Sequence, residues 1–248
     1  MIPNISILGV SVAAISWEEL LRAVTAWAEH PETPKTVTYA NVHVINLAQK
    51  DASLRAILNE SDVCYCDGNG VVLGAKLLGQ TIPERMTGAD WIWDLAAAAE
   101  GKWRIFWLGG MPGVTEAAAA KLQEAHPWLQ IATDHGFHHT SSDANQACLE
   151  RINAFEPDIV LVGMGTPIQE EWVATNRASI KAPVVWCIGA TADVISGKVK
   201  RKGPRWIVKN QEWLSRLMSD PTRLWRRYLV GNTVFLARIA KEKQRPTR

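Results

Sequence analysis

RIFWLGGMPGVTEAAAAKLQEAHPWLQIATD, residues 104–134, holds one whole strand–turn–helix–strand unit. Arg104–Leu108 is a short apolar run with an Ile-Phe-Trp centre, the composition of a buried strand. Gly109-Gly110-Met111-Pro112-Gly113 breaks it with a turn. Gly113–His126 is rich in alanine and glutamate and reads as a helix, and Leu129–Thr133 returns to strand.

The same pattern extends in both directions. Apolar, β-branched runs stand at Thr36–Ala40, Asp62–Cys66, Asp158–Val162 and Val184–Ile188, most of them followed by a glycine turn and a helical stretch. The four runs that begin at Arg104, Leu129, Asp158 and Val184 recur at intervals of 25 to 29 residues, the length of one strand–helix unit. Ser142–Phe155 places Ala147, Leu149, Ile152 and Phe155 in helical phase. Strands alternating with helices predict an α/β fold: a Rossmann-like parallel sheet of six strands flanked by helices. That body is expected to cover residues 1–197, with a cationic helical appendage over 198–248.

Charge marks the boundary. Residues 198–248 carry 15 of the 27 Lys and Arg and only 3 of the 25 Asp and Glu, a net of +12. The preceding residues carry −10. A cationic end on an acidic body predicts that the end meets a polyanion or an anionic membrane while the body does something else. Two amphipathic helices are predicted there, Pro204–Met218 and Pro221–Ala240, the second with Asp220 as N-cap. Basic helices bearing Trp have the composition of interfacial membrane binders; the plainer reading is a hairpin packed on the body. The chain has twelve Trp, more than core packing usually calls for. No segment has the roughly 18–20 continuous apolar residues of a spanning helix, so membrane contact is expected to be peripheral. The N-terminus lacks the pattern of a signal peptide. Cys64, Cys66, Cys148 and Cys187 have no scaffold spacing and read as buried reduced thiols, which suits the cytoplasm.

In a parallel sheet, ligands bind beyond the carboxyl ends of the strands, where this chain puts its unusual residues. Gly109–Gly113 reads either as a diphosphate turn or as an ordinary helix start, and it is not the dinucleotide pattern GxGxxG. Asp67, at a strand end before two glycines, reads either as a general base or as an Asx-turn. Gln169 offers an amide for sugar or base edges, whereas Glu170 and Glu171 suit the first turn of a helix. Asp193 opens toward the cationic tail and is placed to anchor Lys198 or Arg201. His135, His138 and His139 form HGFHH, but without Cys or Glu at ligand spacing no metal is assigned. No P-loop, GxSxG or Ser/His/Asp arrangement is present.

Seven segments occur together and in order: Tyr39–Asn41, Asp67–Val71, Glu84–Asp90, Leu108–Gly113, Gly163–Glu171, Asp193 through Lys200-Arg201, and Glu212–Arg216 with Pro221–Arg223. On these the chain resembles the WecG/TagA/CpsF glycosyltransferases of bacterial envelope polysaccharide synthesis. The resemblance implies an inverting, metal-independent transfer from a UDP-sugar to an undecaprenyl-diphosphate-linked saccharide on the cytoplasmic face of the plasma membrane. It implies no cofactor and no nucleic-acid partner, and it is compatible with an oligomer. It places the base at Asp67, with Asn41, Gln169 and Thr38 beside the chemistry. Donor binding falls on Gly109, Gly110, Gly165, Arg85 and Asp193, and the acceptor diphosphate on Arg216, Arg223 and Arg226. The family's Thr stands two residues before its Asn; here that place is Tyr39, with Thr38 one earlier. Rival readings are a nucleotide-linked oxidoreductase using Gly109–Gly113, and a non-catalytic module binding anionic surfaces.

Overall fold

The structure, a computed structural model, describes residues 2–31, 33–138, 141–199, 214, 217–218 and 221–244. It opens with a hairpin, β1 (Asn4–Ile7) and β2 (Val10–Ala13). Leu8 and Gly9 turn it with φ of 52° and 78°, the left-handed backbone that a two-residue hairpin loop requires. Then come α1 (Trp17–Glu29), β3 (Lys35–Ala40), α2 (Val42–Ala48), α3 (Ala52–Glu60), β4 (Val63–Cys66), α4 (Asn69–Leu77) and α5 (Gly88–Ala99). They are followed by β5 (Arg104–Gly109), α6 (Val114–Ala125), β6 (Gln130–Asp134), α7 (Ser142–Phe155), β7 (Ile159–Gly163), α8 (Ile168–Asn176), β8 (Val184–Cys187) and α9 (Thr191–Ile195). The chain ends with α10 (Pro221–Trp225), a π-helical turn (Arg226–Val230) and α11 (Gly231–Lys243).

β3 to β8 form one six-stranded parallel sheet in the order β4-β3-β8-β7-β5-β6, flanked by helices. Every residue of β4, β7 and β8 is buried, as expected of strands covered on both faces. The α/β class and the six predicted strands are therefore present, each within a residue or so of its expected bounds. The hairpin is an addition to them.

By compactness the chain divides into two units. The first comprises Met1–Ser16, Tyr39–Thr87 and Val199–Arg248; the second comprises Trp17–Thr38 and Gly88–Lys198. In the first unit α11 lies against α4: Phe235 and Ile239 are each 1% exposed, and Phe235 Cζ would stand 2.7 Å from a Cβ added at Gly74. Glycine is what lets the aromatic ring seat there, and burying one such ring contributes about 1.5–3 kcal/mol. The predicted helix Pro221–Ala240 is thus helical throughout but interrupted by the π turn. The predicted helix Pro204–Met218 lies outside the described residues except at 214, 217 and 218.

In the second unit β8 alternates. Val185 and Cys187 join a core with Phe106, Val160, Leu149 of α7 and Trp172 of α8. Trp186, pointing the other way, stacks on Trp91 of α5 at 4.3 Å, and Trp91 stacks on Trp17 of α1 at 5.4 Å. Trp91, Trp103, Trp107, Trp172 and Trp186 are all buried, so core packing takes up more of the Trp content than expected. Trp172 carries its indole N–H into the core with a partner, Asn145 Oδ1 at 2.6 Å. Among the described residues only Trp128 and Trp225 are largely exposed.

Candidate active site

In the first unit, the buried strand β4 ends in Asp67-Gly68. The Asp67 N–H donates to Ala40 O at 2.9 Å, so the sheet pairing runs one residue past the strand. Gly68 then has φ 138° and ψ 141°, a region open only to glycine. The sharp turn leaves Asp67 half-buried at the strand tip while α4 starts at Asn69.

Two side chains hydrogen-bond to it, and a third stands behind one of them. Asn41 is the N-cap of α2: its Oδ1 accepts from Val44 N–H at 3.0 Å, and its Nδ2 reaches Asp67 Oδ2 at 3.4 Å. The buried Thr87 donates its hydroxyl to Asp67 Oδ1 at 3.2 Å and itself accepts from Arg85 Nη1. Met86 N–H donates to Cys66 O at 2.8 Å, which holds the Arg85–Thr87 segment along the end of β4. The predicted Asn41, Asp67 and Arg85 are thus brought together. Thr87 was not singled out, although it stands inside the Glu84–Asp90 segment that carries the resemblance.

Thr38 is wholly buried inside β3. Tyr39 is 8% exposed, with its ring 6.1 Å from that of Tyr65. His43, in the first turn of α2, is held neutral at ordinary pH: burial and then the Arg227 charge bring its pKa down to about 4. Arg226 is exposed and lies over the Trp225 ring at 5.3 Å. The backbone of Arg223 belongs to α10, whereas its side chain, and all of Arg216, lie outside the described residues.

In the second unit, β5 connects toward the sheet edge at β6 while β7 connects the other way to β8. The gap between the tips of β5 and β7 is therefore a topological switch point, where open α/β sheets bind ligands. Both predicted glycine turns flank it. Gly109 has φ 153°, and a Cβ on it would stand 2.7 Å from the Gly163 carbonyl carbon. Gly110 N–H donates to Gly163 O at 3.1 Å, and Gly136 N–H donates to Gly110 O at 2.9 Å. Gly165, with φ 82°, has nothing within 4 Å of where its Cβ would be. Gln169 is fully buried: its Oε1 accepts from Gly189 N–H at 3.0 Å, and its Nε2 donates to Glu170 Oε1 at 2.7 Å. Its amide ties the turn after β7 to the turn after β8. Thr166 also donates to Glu170 Oε1, at 2.9 Å, and burial pushes this carboxyl above its ordinary range despite those bonds. Asp193 pairs with Lys198 at 3.3 Å, one of the two cations named for it; the other, Arg201, lies outside the described residues.

At the tip of β6, ligand atoms of Asp134, His135 and His138 lie within 4.8 Å of one another. Their bonding does not fit a metal. Asp134 Oδ2 accepts from Arg151 Nε at 2.8 Å and Nη2 at 2.7 Å, while its Oδ1 takes His138 Nε2 at 2.9 Å. Phe137 N–H donates to His135 Nδ1 at 3.2 Å. Burial alone would raise the Asp134 pKa, but the His138 and Arg151 hydrogen bonds bring it below the ordinary carboxylate value. A guanidinium already supplies the positive charge a cation would bring. His139 lies outside the described residues. The four cysteines are buried and form no disulfide, as read from their spacing.

The sequence profile described as "Glycosyl transferase WecG/TagA/CpsF family" matches residues 5–248. Three similar proteins come from Staphylococcus aureus strains MW2, NCTC 8325 / PS 47 and COL. Each is 28% identical over 244 residues, covering 98% of this chain and 94% of the relative. Each is named N-acetylglucosaminyldiphosphoundecaprenol N-acetyl-β-D-mannosaminyltransferase.

Proposed function

The chain belongs to the WecG/TagA/CpsF family of glycosyltransferases, and we propose that it transfers a sugar, with inversion, from a UDP-sugar to a polyprenyl-diphosphate-linked saccharide. The observation that carries this reading is the Asp67 carboxylate, held at a strand tip by Asn41 and by Thr87 with Arg85 behind it. The carboxylate takes the proton of an acceptor hydroxyl as that oxygen attacks the anomeric carbon. The new glycosidic bond forms as the bond to the UDP oxygen breaks, and UDP leaves with the bonding electron pair.

The departing diphosphate needs positive charge or aimed N–H groups. For the donor we assign the turns at the β5–β7 switch point, Gly109, Gly110 and Gly165, with Gln169 and Asp193 as their supports. For the acceptor diphosphate we assign Arg216, Arg223 and Arg226. The names of the Staphylococcus aureus relatives make UDP-N-acetylmannosamine the first donor to test and N-acetylglucosaminyl-diphospho-undecaprenol the first acceptor.

No helix among the described residues is long and apolar enough to cross a membrane. Trp225, Leu229, Val230 and Leu236 are nevertheless exposed on the C-terminal helical run, which also carries Arg226, Lys241 and Lys243. Apolar groups ringed by bases suit an anionic bilayer surface. Peripheral attachment suits an acceptor that is itself a membrane lipid, and we place it at the cytoplasmic face of the plasma membrane, where the nucleotide-sugar donor is expected.

The test is to incubate the purified chain with a panel of UDP-sugars and a short-chain acceptor, then weigh the products. A mass gain of one N-acetylhexosamine with release of UDP is the expected result. Tight NAD binding with no sugar transfer from any UDP-sugar would overturn the reading.

A further inference from the structure

Asn46, in the body helix α2, uses both atoms of its amide on the C-terminal helix. Its Nδ2 donates to Gly231 O at 2.8 Å, and its Oδ1 accepts from Arg238 Nη1 at 2.6 Å. These bonds join positions 185 and 192 residues apart in sequence. They take the first carbonyl of α11 and one cation of the basic tail. An amide can give and receive at once, whereas a carboxylate would face the Gly231 carbonyl without a proton.

The helix that Asn46 holds is not a neutral support. Its N-cap is Asn41, whose Nδ2 reaches the Asp67 carboxylate. α11 also seats Phe235 and Ile239 against Gly74 of α4, and α4 begins two residues after Asp67. At this same start of α4, a Cβ on Gly70 would overlap the side chain of Val42, the first residue of α2. The C-terminal helix therefore grips both helices that lead away from the carboxylate. Seven residues of α2 form a rod about 10 Å long, short enough to pass a shift of one end to the other.

We propose that Asn46 is a positioning residue: by seating α11 on α2 it sets Asn41 against Asp67, so that loss of its two bonds slows the chemical step. The proposal rests on the reading of Asp67 as the base. It differs from a plain brace, which would affect stability and leave the chemical step alone.

The test uses the full chain and a short-chain soluble acceptor. Asn46→Ala is expected to lower kcat about tenfold, as misplacement of a catalytic group does, with KM for the donor unchanged. In an Asn41→Ala background the same change should lower kcat less than about threefold, because the path from Asn46 to the carboxylate is already cut. Wild-type kcat in Asn46→Ala, or a full tenfold loss in both backgrounds, would overturn the coupling. Should Asn46→Ala fail to fold, Arg238→Ala removes one of the two bonds from the tail side and is read in the same way. Asp67→Asn separates the failures. If it keeps normal turnover, the base assignment falls and the coupling with it. If it is inactive while Asn46→Ala and Arg238→Ala turn over normally, only the coupling falls.

Discussion

Asn41 Nδ2 stands 3.4 Å from Asp67 Oδ2, while Oδ1 of the same amide caps α2 through Val44 N–H at 3.0 Å. One side chain thus has a structural and a chemical task, and substitution can part them. Asn41→Ala loses both and should cost about 1 kcal/mol of stability, the usual worth of a cap. Asn41→Asp keeps the cap but sets a second carboxylate against the base. Its melting point should stay near that of the wild type while kcat falls at least about tenfold, since like charges oppose an ionised base. Calorimetry and initial rates on the same samples decide it; a rate loss that merely follows stability would refute the chemical task.

Asp67→Asn is the direct test of the base. The amide is isosteric and can still accept from Thr87, so unfolding by heat should change little. Turnover should drop by at least about 10²-fold, the common scale for loss of a general base. Near-normal turnover at every pH would remove the role.

The parts of this fold that were legible share a local signature. Ser142–Phe155 is helical over its predicted span because Ser141 accepts from Ala144 N–H and the apolar residues keep one face. The hairpin at Leu8-Gly9 escaped because a Leu with φ 52° carries no hairpin-turn signature and Ser6–Ser11 reads as one run. Thr87 escaped because its partner, Asp67, is twenty residues away. Trp91, Trp17 and Trp186 are far apart in sequence, so their stack is invisible in composition, which shows only more Trp than core packing usually calls for. The bond from Asn46 to Arg238 is invisible for the same reason: tertiary packing brings together groups 192 residues apart.

Gly109 and Gly165 should answer differently to alanine. At Gly109 the backbone has φ 153° and the new methyl meets the fixed main chain of Gly163, so strain and overlap add. Gly109→Ala should lose about 2–4 kcal/mol by urea unfolding. Gly165 has φ 82° but open space around it, so the cost there is about 1–2 kcal/mol of backbone strain alone. If Gly165 approaches the donor, its variant should fold and yet bind UDP more weakly by titration calorimetry. Unchanged UDP affinity would remove Gly165 from the donor site.

Glu170 gives a pH prediction. Its folded-state pKa is raised, chiefly by burial, so the native state holds this proton more tightly than the unfolded chain does. The stability from this group is then full below the unfolded value, about 4.3, and is lost as pH rises through the higher folded value. Glu170→Gln keeps the acceptor for Thr166 and Gln169 and cannot ionise. Its stability should therefore vary less between acid and neutral pH than that of the wild type, and exceed it at pH about 8. Parallel pH–stability curves for the two proteins would show that Glu170 does not titrate in this range.

Membrane attachment calls for a gentler change than deletion of the tail. Removing residues 198–248 would also strip Phe235 and Ile239 from α4 and the Asn46 bonds from α2, so lost activity would have two causes. Leu229 and Leu236 are 51% and 39% exposed, and replacing them by Glu leaves those buried contacts in place. Each change removes an apolar group and adds charge of the same sign as the lipid surface. The pair should weaken co-sedimentation with vesicles of anionic phospholipid at least about tenfold, since a single apolar side chain moved out of water is worth about 1.5–3 kcal/mol. Turnover of a short-chain soluble acceptor should stay within about threefold of the wild type, because neither residue is assigned to the chemistry. Vesicle binding that survives the double change but disappears in high salt would place the attachment in the arginines and lysines alone.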